Sequence, residues 1–480
     1  MNDVYPVHDN INIGTLASMF MSSYTKELTV SYNGDVENYY NFGTKELCIA
    51  IHQHPSLKSV YLKGGRRRLG VSSSRDDESD DGTIDDDNSC NQQLFHELTT
   101  IPNLKQINLA SVSPSWTHAR FDRLVSHPSL ATIAITTGTL NDSQLLGIRQ
   151  GLERRNSSST TLSNLWMYGI SFDSTETFVN TTLETAGVQS VRLYCSEEAP
   201  PPDSPVAVVY CDRIGESIAN NRVVPKMVSL NYIRYPIPIM KGLALNNTTT
   251  LQSISISFDV WTKDVGRLLS KVLSPQQSRD SSLKKLKLTC DKIEDPKYDW
   301  NDCLACSSSF GSHSKLEELG VLVRFSYSGN KNYNPVKAVE RFCQSTTLKK
   351  VVFPGWPSGK EYIQCISMLI QSETPMEVFE FRHCKYIDKS NPKFKTKEEY
   401  YEALEISRNS HIAFQCSSRW KELNTICKLN KNGPRRYLFE GEPQNNKKLG
   451  VDVLIGVNDD LDALYFHLLE NPNLCNKACV

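Results

Sequence analysis

The sequence predicts an α/β solenoid, a succession of short parallel strands each followed by a helix. Three observations carry that prediction. The first is a recurring strand: an apolar anchor, two polar residues, then two more apolar residues at alternate positions, as in Leu348-Lys-Lys-Val351-Val-Phe353. Strand side chains alternate between faces, so the anchor, +3 and +5 side chains serve one core and the residues between them face outward. The second is the spacing. Anchors Leu104, Leu130, Leu162 and Val188 lie 26, 32 and 26 residues apart, and Leu251, Leu283, Leu316 and Leu348 lie 32, 33 and 32 apart. The third is that the intervals read as helix, over His118 to Ser126, Asp142 to Glu153 and Glu176 to Glu184.

Composition sets the outer bounds. The 480 residues are 39% apolar and 22% charged, enough for a large core. A formal net charge of -1 gives no whole-chain case for nucleic acid, acidic membranes or polyanionic substrates. Met1 to Phe20 has no basic region before an apolar run, and no apolar stretch is long enough to cross a bilayer. The cysteines are scattered at irregular separations and read mostly as reduced thiols. That points to an intracellular, cytoplasmic protein, with the nucleus left open.

Residues 1–43 are poorly periodic and are expected to form an N-terminal cap, with Tyr39, Tyr40 and Phe42 as apolar contacts. The solenoid is expected over 44–385. It opens with a helix at Lys45 to His54 and a strand at Leu57, Val60 and Leu62, with Pro55 at the break between them. An insertion over 64–90 follows, from Arg66-Arg67-Arg68 into the acidic runs at Asp76 and Asp85; with few large apolar residues it is expected to be disordered. Regular strands then anchor at Leu104, Leu130, Leu162 and Val188. Residues 196–239 read as an irregular insertion: Pro200, Pro201, Pro202 and Pro205 interrupt any helix or strand, and Leu230 and Ile233 hint at a degenerate strand. Order resumes at Leu251, and a weaker copy of the strand occurs at Met376, Val378 and Phe381. Residues 386–480 are expected to be a mainly helical C-terminal cap, with helices at Lys397 to Ile406, Arg419 to Leu429 and Asp460 to Glu470.

Leu-x-x-Leu-x-Leu units separated by helices are the signature of a leucine-rich repeat horseshoe, a curved solenoid with a concave parallel sheet and convex helices. A doubly wound nucleotide-binding fold would not explain the near-equal intervals, and Gly-x-Gly-x-x-Gly is absent. The chain resembles the ribonuclease-inhibitor-like leucine-rich repeat proteins, particularly the large, mostly uncharacterised sets encoded by diatoms and related algae. The general resemblance covers roughly residues 44–385. The narrower one rests on the tail, from Leu429-Asn-Lys-Asn-Gly433-Pro434-Arg435 to Asn458-Asp-Asp and Leu469-Glu-Asn-Pro-Asn-Leu474. The resemblance implies a protein-interaction scaffold and supplies no catalytic residue.

Candidate binding residues follow from the outward positions. The middle ones form a row of Tyr61, Asn108, Ala134, Trp166, Arg192, Ser255, Lys287, Gly320 and Val352. Trp166 is the most informative, read either as a binding anchor or as local packing. Lys284, Lys285, Lys287, Lys349 and Lys350 form a basic patch split by Glu317 and Glu318. It suits either an acidic protein surface or a solvated sheet balanced by alternating charge, and gives no clear nucleic-acid signal. Cys303-Leu-Ala-Cys306, with Cys290 and His313, has zinc-ligand chemistry, but a single Cys-x-x-Cys where a helix is expected reads first as a buried helix face. Gly355-Trp-Pro-Ser-Gly359-Lys360-Glu361 fails as a phosphate loop: its glycines are too close and Glu361 stands where Ser or Thr belongs. His-Glu-x-x-His and Gly-x-Ser-x-Gly are absent. His52, His54 and His127 read as cap or surface residues, and Asp459 and Asp460 have no assignable role.

No catalytic, metal or cofactor residue is assigned. The leading expectation is a non-enzymatic scaffold binding an unidentified protein partner through the concave sheet and adjacent loops. One alternative is an enzyme or metal protein using 196–239 or the Cys290 to His313 cluster. Another is a ubiquitin-ligase substrate adaptor, although residues 1–43 are short for an F-box. Nothing indicates the oligomeric state.

Overall fold

The computed structural model describes residues 27–31, 58–63, 101, 103–110, 116–194, 205–245, 249–273, 281–294, 315–323, 334–354, 358–372, 374–382, 396–408, 410 and 412–416. The chain divides into two compact units, residues 1–217 with 222–232, and residues 218–221 with 233–480.

The first unit contains strands β1 (Glu27–Ser31), β2 (Ser59–Lys63), β3 (Gln106–Ala110), β4 (Thr132–Leu140), β5 (Leu162–Phe172), β6 (Val188–Tyr194) and β7 (Met227–Ile233). Helices α1 (His118–Val125), α2 (Asp142–Ser157), α3 (Thr175–Leu183) and α4 (Pro205–Ala219) lie between the later strands. Each strand pairs in parallel with the next in sequence. Parallel neighbours require a crossover, and the helices supply it. Two rows of side chains run through the core: Ile107, Ile133, Leu165, Val191 and Val228, and Leu109, Ile135, Met167, Leu193 and Leu230. All ten are buried. Burying one such side chain contributes roughly 1.5–3 kcal/mol, so stacked rows rather than any single repeat stabilise the unit.

The second unit repeats the scheme. Helix α5 (Pro236–Leu245) precedes β8 (Ser253–Trp261), α6 (Lys263–Val272), β9 (Lys285–Ile293), β10 (Glu318–Val323), α7 (Pro335–Phe342), β11 (Lys350–Pro354), α8 (Gly359–Gln371), β12 (Val378–Arg382), α9 (Lys397–Arg408) and β13 (Ala413–Cys416). Strands β8 to β13 pair in parallel, in sequence order. Their first core row is Ile254, Leu286, Leu319, Val351, Phe379 and Phe414, all buried. The architecture is an α/β repeat, a parallel sheet flanked by helices.

The polar lead-in to each strand has a structural reason. The hydroxyl one residue before the anchor donates to the previous anchor's carbonyl: Ser129 to Leu104 at 3.1 Å, Ser282 to Leu251 at 2.9 Å and Thr347 to Leu316 at 3.0 Å. The residue after most anchors accepts two backbone N–H groups from the next repeat, as Lys284 does from Glu317 and Glu318. These bonds satisfy backbone groups at the strand entrance that water would otherwise have to reach.

Two stretches differ from expectation. Residues 196–239 were expected to be irregular, yet hold α4, β7 and the start of α5. The inward pair of β7 is Val228 and Leu230, not Leu230 and Ile233, and the buried residue at the anchor position is Pro225. Proline is acceptable there because it precedes the first ladder residue. The expected terminal cap contains a further repeat: α9 and β13 extend the second unit. Phe414 packs on Phe379 and Phe381, at centroid distances of 5.7 and 5.9 Å, and its carbonyl accepts from the Tyr362 hydroxyl at 3.2 Å. The expected helices at Lys45 to His54, Arg419 to Leu429 and Asp460 to Glu470, the insertion 64–90 and the tail motif lie outside the described residues.

Candidate functional site

Strand register aligns the outward positions into rows across the open face of the sheet. In the first unit the central row is Tyr61, Asn108, Ala134, Trp166, Arg192 and Ser229. Two residues further along each strand, Thr136, Tyr168, Tyr194 and Asn231 form a parallel row. Two residues earlier the row is Gln106, Thr132, Asn164, Ser190 and Met227. Register places Tyr61 beside Asn108; the Tyr61 side chain lies outside the described residues. Ala134 was read as an outward member, but it is only 2% exposed, because a methyl group between Asn108 and Trp166 is covered by its larger neighbours.

Trp166 and Arg192 come together. The guanidinium carbon sits 5.0 Å from the indole centroid, within cation–π range. The aromatic surface continues through side chains not singled out from the sequence. Tyr168 meets Trp166 edge-on at 6.4 Å, Tyr194 lies 5.8 Å from Tyr168, and Tyr232 lies 4.5 Å from Tyr194. Tyr232 has φ 59°, a left-handed conformation unusual for a bulky side chain, at the end of the β7 ladder. Around the rings are small hydroxyl and amide side chains: Asn164 donates to Thr132 at 3.1 Å, and Asn231 to Ser229 at 3.3 Å. Tyr168 and Tyr194 were legible in principle, since each lies two residues beyond a named outward residue and so on the same face. Tyr232 was not, because its position depends on the backbone turn.

In the second unit the lysines do not form a bare basic patch. Lys284 pairs with Glu317 at 3.3 Å, Lys285 with Glu318 at 2.6 Å, and Lys350 with Glu318 at 4.0 Å. Lys349 is exposed between Glu317 and Glu377, and Lys287 packs its stem against Gly320. Glu380 on β12 is buried beside Val352, whereas Glu377, just ahead of β12, continues the alternation. These pairs are solvent-exposed, so each is worth at most about 1 kcal/mol. The ladder is close to neutral. Val352, placed outward, is 9% exposed beside Glu380.

The remaining candidates resolve into structural roles or lie beyond description. Cys290 is fully buried in line with Phe258 and Val323; Cys303, Cys306 and His313 lie outside the described residues. Among the described residues no group of three His, Cys, Asp or Glu side chains could hold a metal ion. Burial pushes the Cys343 and Cys365 thiols up, away from the reactive thiolate. Ser358 and Glu361 form a reciprocal capping box that starts α8, which accounts for the glutamate in the phosphate-loop lookalike. His127, read as a cap or surface residue, is 7% exposed; burial first, then the nearby Arg155 and Lys105 charges, depress its pKa below the ordinary 6.5. The Arg155 guanidinium donates to the His127 and Leu130 carbonyls. On the helical side, Arg213 joins α4 to α3 through Glu176, Glu184 and Asn180, and its hydrogen bond holds the Glu176 carboxylate below the usual range. Among the described residues no helix is long and apolar enough to cross a membrane.

Neither a protein-family profile nor a curated protein matches the chain. Ten chains of solved structures match. One, from the crystal structure of a TLR13–ssRNA13 complex, is 14% identical, with a TM-score of 0.34 over 75% of this chain and 48% of that one. This chain therefore spans about half the length of that neighbour, and a likeness so distant carries no weight for ligand or mechanism.

Proposed function

We infer that the chain is a leucine-rich repeat horseshoe of the ribonuclease-inhibitor-like kind, acting without catalysis as a scaffold that binds a protein partner on its open sheet face. The carrying observation is the side-chain set on β5, β6 and β7. Trp166, Tyr168, Tyr194 and Arg192 lie together on a rigid sheet, ringed by Ser229, Asn164 and Asn231. Trp, Tyr and Arg dominate interface hot spots, the aromatic pair because they bury large area at low entropy cost and Arg through its planar fork of donors, and Ser and Asn supply adaptable hydrogen bonds. A nucleic-acid strand would favour a track of cations, whereas these rows carry a single one. The narrower kinship with the algal sets rests on the tail sequence alone.

The test is affinity purification with the wild-type chain and with a Trp166→Ala/Tyr194→Ala variant matched for thermal melting. Loss of the specific partner from the variant supports the reading. Full retention by the folded variant contradicts it.

A further inference from the structure

We propose that Arg192, with the aromatic floor beside it, recognises an Asp or Glu side chain on an extended segment of the partner protein. This rests on the open-face reading above and names the chemistry that the face selects.

Three observations lead there. Arg192 is exposed and makes no ion pair or hydrogen bond among the described residues; its guanidinium lies against the Trp166 ring. By contrast, Arg155 holds backbone carbonyls and Arg213 holds two glutamates. On the lysine ladder of the second unit, Lys284, Lys285 and Lys350 are matched by Glu317 and Glu318. Arg192 is also the sole charged side chain in the three outward rows from β3 to β7. A lone cation on a neutral aromatic surface is complementary to one carboxylate, and stacking on the indole preorganises the guanidinium for bidentate recognition. Finally, the Trp166 indole N–H is buried without an acceptor among the described residues. Buried indole donors ordinarily have one, and a small shift of the ring on binding lets it donate to the incoming segment.

The surroundings favour a peptide-like occupant. The row from Asn108 to Ser229 crosses five strands, roughly 19 Å, the length of about six extended residues. Apolar contact beside the charge comes from Tyr168, Tyr194 and the exposed Met227, which excludes water from the ion pair and strengthens it.

The experiment is display selection of short random peptides on the purified full-length chain, followed by fluorescence anisotropy with the winning peptide and its carboxamide counterpart. Selected peptides are expected to carry Asp or Glu beside an apolar residue. Arg192→Gln and the carboxamide peptide are each expected to lose about tenfold in affinity, without further loss when combined, as for a directly contacting pair. Lys287→Gln is expected to change affinity by less than about twofold. The inference is overturned if winning peptides lack acids, if no peptide is selected, or if Arg192→Gln matters no more than Lys287→Gln. Capture of oligothymidylate by wild type but not by Arg192→Gln, with no acidic peptide selected, also overturns it in favour of nucleic acid. Should Trp166→Ala abolish peptide binding while Arg192→Gln is neutral, the acid preference fails and the open-face reading stands. When Trp166→Ala and Tyr194→Ala are both neutral, the two fail together.

Discussion

Arg155 offers a demanding test of how the repeats are joined. Its guanidinium is 2% exposed and reaches from α2 to the carbonyls of Val125 at 3.2 Å, His127, Leu130 at 2.6 Å and Thr161 at 3.4 Å. Those carbonyls belong to the end of α1, the turn into β4, the β4 anchor and the lead-in to β5. Replacement by methionine keeps most of the volume and removes every donor. Charge-assisted bonds contribute about 1.5–3 kcal/mol each, but deleting a buried charge returns part of its desolvation cost. The net loss is expected to be about 3–5 kcal/mol. Arg149, on the same helix, has a 46% exposed side chain and one i,i+4 partner, Glu153. Arg149→Met is expected to cost less than about 0.5 kcal/mol. Repeat arrays unfold in segments, so urea denaturation is best followed by hydrogen exchange in peptides covering α1 through β5. Equal losses for the two variants would refute the role assigned to Arg155.

Other substitutions and conditions follow from the same geometry. Gly187 has φ +103°, and an added Cβ would lie 2.2 Å from the Leu152 carbonyl oxygen; Gly187→Ala is expected to lower stability by more than ~2 kcal/mol in chemical denaturation. Gly147 and Gly151 let α2 approach α1, where a Cβ would meet His118 oxygen at 2.3 Å and Val125 Cβ at 2.6 Å. Alanine at either position is therefore expected to lower the melting temperature, opposite to the ~1 kcal/mol gain that helix propensity alone would give. For His127 the folded-state pKa lies below the unfolded 6.5, so the unfolded chain binds the extra proton. Its stabilising effect is complete above about pH 6.5 and is lost as pH falls through the folded pKa; a melting series across that window, absent in His127→Gln, checks the sign.

Much of the architecture was legible because strand periodicity and a repeat interval reinforce each other. Leu104, Leu130, Leu162 and Leu348 each announce a strand that the structure contains. The strand β7 showed only as a degenerate copy at Leu230 and Ile233, with the wrong inward pair, because proline replaces leucine at its anchor and a proline-rich stretch precedes it. β13 escaped because Ile412-Ala-Phe414 is a continuous apolar run without alternation, inside a tail that otherwise reads as helix. The binding face was half legible. Trp166 and Arg192 follow from counting along the strand, and Tyr168 and Tyr194 follow by counting two further. Their convergence with Tyr232 depends on register between strands distant in sequence and on one left-handed residue. The neutrality of the lysine ladder needed the same information, since Lys284, Lys285 and Lys350 meet Glu317 and Glu318 only once β9, β10 and β11 are paired. Arg155 looks like one of two exposed arginines at a helix end; only packing distinguishes it from Arg154.

Hydroxyl-radical footprinting of the chain with its captured partner tests most directly which face binds. Trp166, Tyr168 and Tyr194 are expected to lose reactivity in the complex, while exposed helical side chains such as Leu146, Val209 and Tyr401 keep theirs. Protection of those helical side chains, with the three aromatic residues unchanged, would contradict binding through the open face of the sheet.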